Sequence, residues 1–197
     1  MSALRLLVVE GNTRAARERA VASGGTVASE SYAELLRSLS PAGTVVDICY
    51  PADPGANLPD SGGLEGYDGV AITGSALNIY DGGPAIDPQI ELARALFRTG
   101  TPCFGSCWGL QLATVACGGT VAKHPEGREI GIGRRIEILS PGHGHGLYMG
   151  KPRLFDAITV HLDQVETLAP GTTVLATNAW SEVQAAEIDT PGSGNFW

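Results

Sequence analysis

Apolar residues along this chain gather in short runs separated by stretches rich in glycine, proline and charge, and the runs change character about two thirds of the way along. Leu4 to Val9 is nearly continuous in apolar side chains and closes on Glu10-Gly11-Asn12, the pattern of a central parallel strand buried on both faces. Thr13 to Gly25 is rich in Arg and Ala, then in Gly, and reads as a loop with some helix. Ser31 to Leu39 has its apolar residues at helical spacing, with Ser31 and Glu34 placed as a capping box. Thr44 to Cys49 predicts a second strand, and Pro51 to Gly66 is a Pro/Gly/Asp-rich connector. A third strand begins at Tyr67 and runs into a Gly-Ser turn. Pro84 to Arg98 predicts a helix whose early Asp87 and Glu91 and late Arg94 and Arg98 suit its dipole. From Glu129 onward Ile132–Leu139, Asp156–Val160, Thr172–Ala176 and Glu182–Ile188 read as short strands with few helical signals. Alternating strands and helices imply a parallel sheet with right-handed crossovers, and the later strands predict antiparallel additions at its edge.

The sharpest signal lies between these regimes, at Thr101 to Gly119. Pro102, Cys103 and Phe104 form a short apolar run that breaks at Gly105. Ser106 and Cys107 follow, the chain turns again at Gly109, and an apolar helix runs from Leu110 to a stop at Gly118-Gly119. This is strand, sharp turn, helix, with a cysteine at the apex and glycines two residues to either side, where a Cβ would prevent the turn from closing. At such an elbow the helix dipole is expected to lower the thiol pKa, and the N–H of Trp108 is placed to meet an oxyanion formed when Cys107 attacks a carbonyl. Cys49, Cys103 and Cys117 lie inside apolar runs and read as core residues.

Composition narrows the setting. The 197 residues carry a net charge of −8 and 27 glycines, with a pI near 4.9. That is enough chain for one domain with its own core, and it argues against a nucleic-acid partner. The four cysteines have no framework spacing and no CxxC pair, the N-terminal apolar stretch is too short for a signal peptide, and no run is long enough to cross a membrane. A cytoplasmic protein, with no membrane partner, is expected. His143-Gly144-His145-Gly146 has a His-X-His spacing but no Cys, Asp or Glu ligand beside it, so it reads as a mobile glycine-rich loop and no metal is expected.

Gly105-Ser106-Cys107-Trp108-Gly109-Leu110-Gln111 resembles the nucleophile motif of the class I (triad) glutamine amidotransferases, in a form similar to the free-standing amidotransferase of GMP synthase. The resemblance runs over nearly the whole chain, taken as one amidotransferase domain over residues 1–197. It implies an α/β, flavodoxin-like fold with a mostly parallel central sheet flanked by helices and antiparallel additions. It also implies roles for particular residues. Gly74 and Ser75, in the turn after the third strand, take the place of the family's second oxyanion loop, and Gln111 that of the glutamine holding the substrate's α-amino-acid end. Val160-His161-Leu162-Asp163-Gln164-Val165 is similar to the family's His-Ser-Asp-x-Val segment, so His161 and Leu162 are expected to border bound glutamine, with Leu in place of Ser. His161 is the one histidine in a segment of this kind, and the segment is expected to bind substrate rather than to transfer protons. Gly118–Val121 and Glu129–Gly131 match family positions that look architectural.

By this resemblance the reaction is glutamine hydrolysis through a Cys107 thioester, without a cofactor. The sequence contains no GxxxxGK[ST] loop, so ammonia would pass to a separate synthetase. A γ-glutamyl peptide hydrolase of the same fold and a non-catalytic glutamine-sensing or partner-binding subunit are the alternatives. In the family, the strand near Gly194-Asn195-Phe196-Trp197 is followed by Gly-x-Gln-aromatic-His-Pro-Glu, which supplies the general base and the residue orienting it. The sequence reaches Trp197, one residue short of that motif, and is expected to be a truncated form.

Overall fold

The computed structural model describes residues 3–59 and 61–197. Strand β1 (Arg5–Val9) is an interior strand of a parallel array. It pairs on one side with β2 (Val45–Cys49) and on the other with β3 (Gly69–Ile72). Strand β4 (Cys103–Gly105) lies parallel to β3, and the last strand, β11 (Asn195–Phe196), lies parallel to β4. The order β2-β1-β3-β4-β11 is the flavodoxin-like arrangement the sequence predicts. Beyond β11 the sheet continues antiparallel through β10 (Ala185–Asp189), β9 (Thr172–Thr177), β6 (Glu129–Ile138) and β7 (Leu154–His161). The antiparallel part is thus four strands wide rather than a trimming on the edge. A two-stranded antiparallel sheet, β5 (Thr120–Lys123) with β8 (Asp163–Thr167), stands apart from it.

Helices cover both faces of the parallel array. Leu7 and Val9 point to one face, where they join Ile72, Leu96, Phe97, Trp108, Leu112 and Phe196 in the main core under α3 (Asp87–Thr99) and α4 (Trp108–Ala116). Val8 points to the other, against Ala33 of α2 (Ala28–Leu39) and Val46. Period-two alternation in a strand buried on both sides leaves no polar position to mark its faces, which is why β1 reads as an unbroken apolar run. Helix α3 begins with Asp87 and Pro88 and ends on Gly100 in the left-handed conformation (φ 75°), a stop that glycine makes without strain.

Two local expectations are corrected. Arg14–Ala22 is a nine-residue helix, α1, capped by the Thr13 side chain, rather than a loop with some helix. None of its residues is buried, so it has no apolar stripe to reveal it. It is fastened instead by Arg17, which makes a 2.7 Å ion pair with Asp53 and lies 4.4 Å over the Tyr50 ring. Helix α2 starts three residues before Ser31, and the capping box does not form: its N-cap Val27 offers no side-chain acceptor, and the Ser29 N–H bonds to the Glu10 carboxylate at 2.9 Å. The cap comes from the end of β1, 19 residues away.

Candidate functional site

Cys107 sits at φ 53°, ψ −98°, a conformation an L side chain rarely adopts. The flanking glycines are what permit it. A Cβ on Gly105 would lie 2.7 Å from Phe196 and 2.8 Å from the Gly109 Cα, and one on Gly109 would crowd the Ile72 carbonyl at 3.2 Å. Helix α4 starts at the next residue, so the Trp108 N–H is spared from the helix ladder, and the Cys107 thiol donates toward the Val160 carbonyl at 3.9 Å. The Trp108 ring is wholly buried, and its indole N–H donates to Gln89 Oε1 at 2.9 Å. The Ser106 hydroxyl pairs with that of Tyr32 on α2.

The thiol pKa departs from expectation. Protein atoms crowding Cys107 desolvate the thiolate and push its pKa up. The Trp108 N–H opposes this, the nearby Asp163 charge adds to it, and Arg128 opposes it more weakly. The dipole argument thus fails against burial. Accessibility still separates Cys107 from the rest. It is the exposed cysteine, Cys117 is half-buried with its pKa raised by burial, and Cys49 and Cys103 are buried with pKa values pushed up to about 12.

The turn after β3 reaches the elbow from the other side. A Cβ built on Gly74 would stand 3.8 Å from the Cys107 Cβ, so Gly74 packs directly against Cys107. Its carbonyl is held away by Asn12 Nδ2 at 3.2 Å and the Thr73 hydroxyl at 3.0 Å. Among the described residues the N–H groups of Gly74 and Ser75 have no protein acceptor. The Ser75 hydroxyl is already committed: it donates to the Gly11 carbonyl at 2.8 Å and accepts from the Leu77 N–H at 3.1 Å.

A cavity of about 350 Å³ opens at Cys107, and Gln111, His161, Asp163 and Gln184 give it polar groups. Gln111 stands one helical turn beyond Cys107 and is buried. Asp163 is buried too and accepts from the Tyr80 hydroxyl at 3.0 Å; burial raises its carboxyl pKa despite that bond. His161 turns Nε2 to Glu129 Oε2 at 2.7 Å and Nδ1 to the Asp163 carbonyl at 3.1 Å, so both ring nitrogens face acceptors. Leu162 is absent from the lining, and its carbonyl accepts from the His124 N–H at 2.9 Å.

Glu129 is the residue of this wall that sequence reasoning underrates as architectural. Burial would raise its carboxyl pKa. Hydrogen bonds from Asn178 (2.7 Å to Oε1), Gln184 (2.8 Å to Oε2) and His161, with the His161 charge, hold it below the ordinary value instead. A signal exists only in three dimensions, since these partners come from β7 and from the two ends of the β9–β10 turn. The His143–Gly146 segment, expected as a mobile loop, links two short 3₁₀ turns, Ser140–Gly142 and Gly146–Tyr148, and makes hydrogen bonds to its surroundings, with His143 Nε2 against the Ile138 carbonyl at 3.1 Å and His145 Nδ1 accepting from the Leu147 N–H. Among the described residues no group of three His, Cys, Asp or Glu is placed to hold a metal, and no helix is long and apolar enough to cross a membrane.

The chain as a whole resembles known proteins in sequence and in fold. The sequence model of the family described as glutamine amidotransferase class-I matches residues 28–191, and the chain belongs to that family. Among characterised relatives, it is 38% identical over 202 residues to a γ-glutamyl-L-1-hydroxyisopropylamide hydrolase of Pseudomonas sp, covering all of this chain and 66% of that protein. It is 32% identical over 120 residues to the glutamine-hydrolysing GMP synthase of Lactococcus lactis, covering 60% of this chain and 21% of the synthase. The chain therefore spans just under two thirds of the first relative and about a fifth of the second. In fold it is similar to a glutamine amidotransferase of Thermotoga maritima, with a TM-score of 0.72 at 18% identity over all of this chain and 75% of the other.

Proposed function

We propose that residues 1–197 act as one amidotransferase-type domain in which Cys107 transfers the γ-glutamyl group of an amide to water. The observation that carries this reading is the strained, accessible cysteine between two sets of unspent backbone N–H groups, beside a cavity with a buried amide and a buried carboxylate. The thiolate attacks the γ-carbonyl, an S–C bond forms, and the oxyanion is met by the N–H groups of Trp108 and Gly74. The C–N bond then breaks, the amine leaves with a proton, and water releases glutamate and restores the thiol. Gln111 can donate and accept at once toward the α-amino-acid end, and Asp163 suits its ammonium. His161 keeps both nitrogens on acceptors and belongs to the binding wall. The Ser75 hydroxyl and Leu162 support the loop and the strand end rather than touch substrate. The chemistry requires no cofactor.

With glutamine as substrate the amine is ammonia, and a separate synthetase would consume it in a reducing, cytoplasmic setting where four free thiols persist. A second reading, a substituted amine as leaving group, is favoured by the similarity to the alkylamide hydrolase along the full chain. Incubation with glutamine and with an N-alkyl γ-glutamylamide, followed by mass analysis of the cysteines and hydroxylamine trapping, tests both. A glutamyl adduct on Cys107 is expected, and the substrate giving the faster adduct selects the leaving group. No adduct with either substrate, or one on another cysteine, overturns the proposal.

A further inference from the structure

We infer that Asn12 is the positioning residue of the oxyanion site, with Glu10 and Gly11 setting its place, an inference that rests on the acyl-transfer reading above. The triplet Glu10-Gly11-Asn12 leaves the carboxyl end of β1 and passes between the two sets of N–H donors. Asn12 grips the Gly74 loop at both ends of its side-chain amide: Nδ2 donates to the Gly74 carbonyl at 3.2 Å, and Oδ1 accepts from the Ala76 N–H at 3.0 Å. A trans peptide points its carbonyl and its following N–H in opposite directions. Holding the Gly74 carbonyl on Asn12 therefore turns the Ser75 N–H the other way and fixes the plane next to the Gly74 N–H, the group packed against Cys107.

Asn12 is itself fixed. Its backbone N–H and its Nδ2 both donate to Glu10 Oε1, at 2.9 and 3.1 Å, and the Glu10 carboxylate is wholly buried and also receives the Ser29 N–H. Gly11 supplies the tie to the elbow. A Cβ there would lie 2.8 Å from the Trp108 ring, 3.0 Å from the Ser75 Cβ and 3.1 Å from the Gly74 oxygen, so this residue is the contact between the two sides. Its carbonyl also receives the Ser75 hydroxyl at 2.8 Å and Gln89 Nε2 at 3.3 Å, and Gln89 holds the Trp108 indole. The spacing between the Trp108 and Gly74 donors is thereby set from β1. Preorganised spacing of this kind is what an oxyanion site requires, because donors that must first reorient stabilise the developing charge less.

The test compares two reagents on the 197-residue chain. A chloroketone analogue of glutamine carries its ketone where the side-chain amide carbonyl stands. The Cys107 thiolate adds to that carbonyl and the oxygen takes negative charge; the sulfur then bonds to the adjacent carbon as chloride departs with the C–Cl electron pair, and the oxygen's charge re-forms the C=O bond as the first S–C bond breaks. Iodoacetamide loses iodide by direct displacement and forms no oxyanion. Asn12→Ala is expected to lower kinact for the chloroketone roughly 10- to 100-fold, somewhat less than the loss of a whole donor, with KI and the iodoacetamide rate at Cys107 unchanged. Asn12→Asp keeps the volume and the acceptor for Ala76 but sets a carboxylate against Glu10 and the Gly74 oxygen. It should fall at least as far, and it carries the test if the alanine variant melts early. The inference is overturned if either folded variant keeps the wild-type kinact, or if both reagents slow together. An unaltered chain that shows no preference for the chloroketone over iodoacetamide overturns the acyl-transfer reading itself, and the inference with it.

Discussion

Strands β1, β3 and β4 end in turns that bring backbone groups to Cys107, whereas β7, β8 and the turn before β10 bring side chains to the same cavity, with Glu129 of β6 bonded to them from behind. On the parallel side the working parts are N–H groups and a strained elbow, fixed by glycines and by Asn12. On the antiparallel side they are Glu129, His161, Asp163 and Gln184, joined by hydrogen bonds among themselves and to Asn178. The contrast separates two kinds of work. On the reading proposed above, backbone donors at the ends of the parallel strands meet charge that exists only during reaction, while side chains on the antiparallel wall meet charge the substrate carries throughout. Substitutions on the parallel side should therefore change kinact for the glutamine chloroketone, and substitutions on the antiparallel side should change KI.

The largest effect is expected at the apex. Cys107→Ser should abolish adduct formation with the chloroketone and leave the melting temperature near that of the parent, since the small, accessible side chain carries little packing. Labelling of Cys117 in its place, at a comparable rate, would break the assignment of chemistry to the parallel side.

Next comes Gly105→Ala, where the new methyl meets Phe196 at 2.7 Å and the Gly109 Cα at 2.8 Å. Neither neighbour has room to retreat, because the Phe196 ring is wholly buried and Gly109 is in the first turn of α4. Overpacking of this kind costs about 1–3 kcal/mol, to be read as a lower thermal midpoint together with slower labelling. Gly146→Ala, with no atom within 4 Å of the added methyl, is the neutral control.

Which parts were legible beforehand follows from the same division. The elbow is written in consecutive residues, Gly105 to Gly109, so a reader of the sequence meets the nucleophile and its steric reason together. Asn12 and Gly74 are 62 residues apart, and Glu129 lies 49 residues from Asn178 and 55 from Gln184. No local pattern records those contacts. The raised Cys107 pKa escaped for a related reason. The helix dipole can be inferred from a strand–turn–helix pattern, but the burial that outweighs it depends on the tertiary fold, which sets Val160 of β7, 53 residues on, against the thiol. Helix α1 was hidden because a helix with no buried residue, held by the Arg17–Asp53 ion pair, leaves no hydrophobic period.

Glu129→Ala tests the antiparallel wall. Removing this carboxylate leaves His161, Asn178 and Gln184 with donors and no shared acceptor, at a cost of about 1–3 kcal/mol. KI should rise with little change in kinact. The linkage sign is that of a carboxyl whose folded pKa is depressed: its contribution is complete above the unfolded value of about 4.3 and is lost as pH falls through the lower folded value. The stability gap between parent and Glu129→Gln should accordingly be widest above about pH 5 and close on acidification below about pH 4. A gap independent of pH, or a fall in kinact without a change in KI, would blur the division between the two halves.

The smallest effect crosses the division. Asp163 belongs to the binding wall, yet its charge is one of the causes that raise the Cys107 pKa, after burial and against the Trp108 N–H. Asp163→Asn removes that charge while keeping the volume and an oxygen for the Tyr80 hydroxyl. Less negative potential at the sulfur favours the thiolate, so the pH profile of iodoacetamide alkylation at Cys107 should shift toward lower pH, and the rate at pH 8 should rise a few-fold. Binding should move the opposite way, with a higher KI for the chloroketone, whose ammonium loses a partner. A faster, weaker-binding variant is a combination that loosened packing does not produce, because loosening would also admit reagent to Cys117. If the profile stays in place while KI rises, Asp163 acts on substrate alone and the elbow sets its thiol without help from the wall.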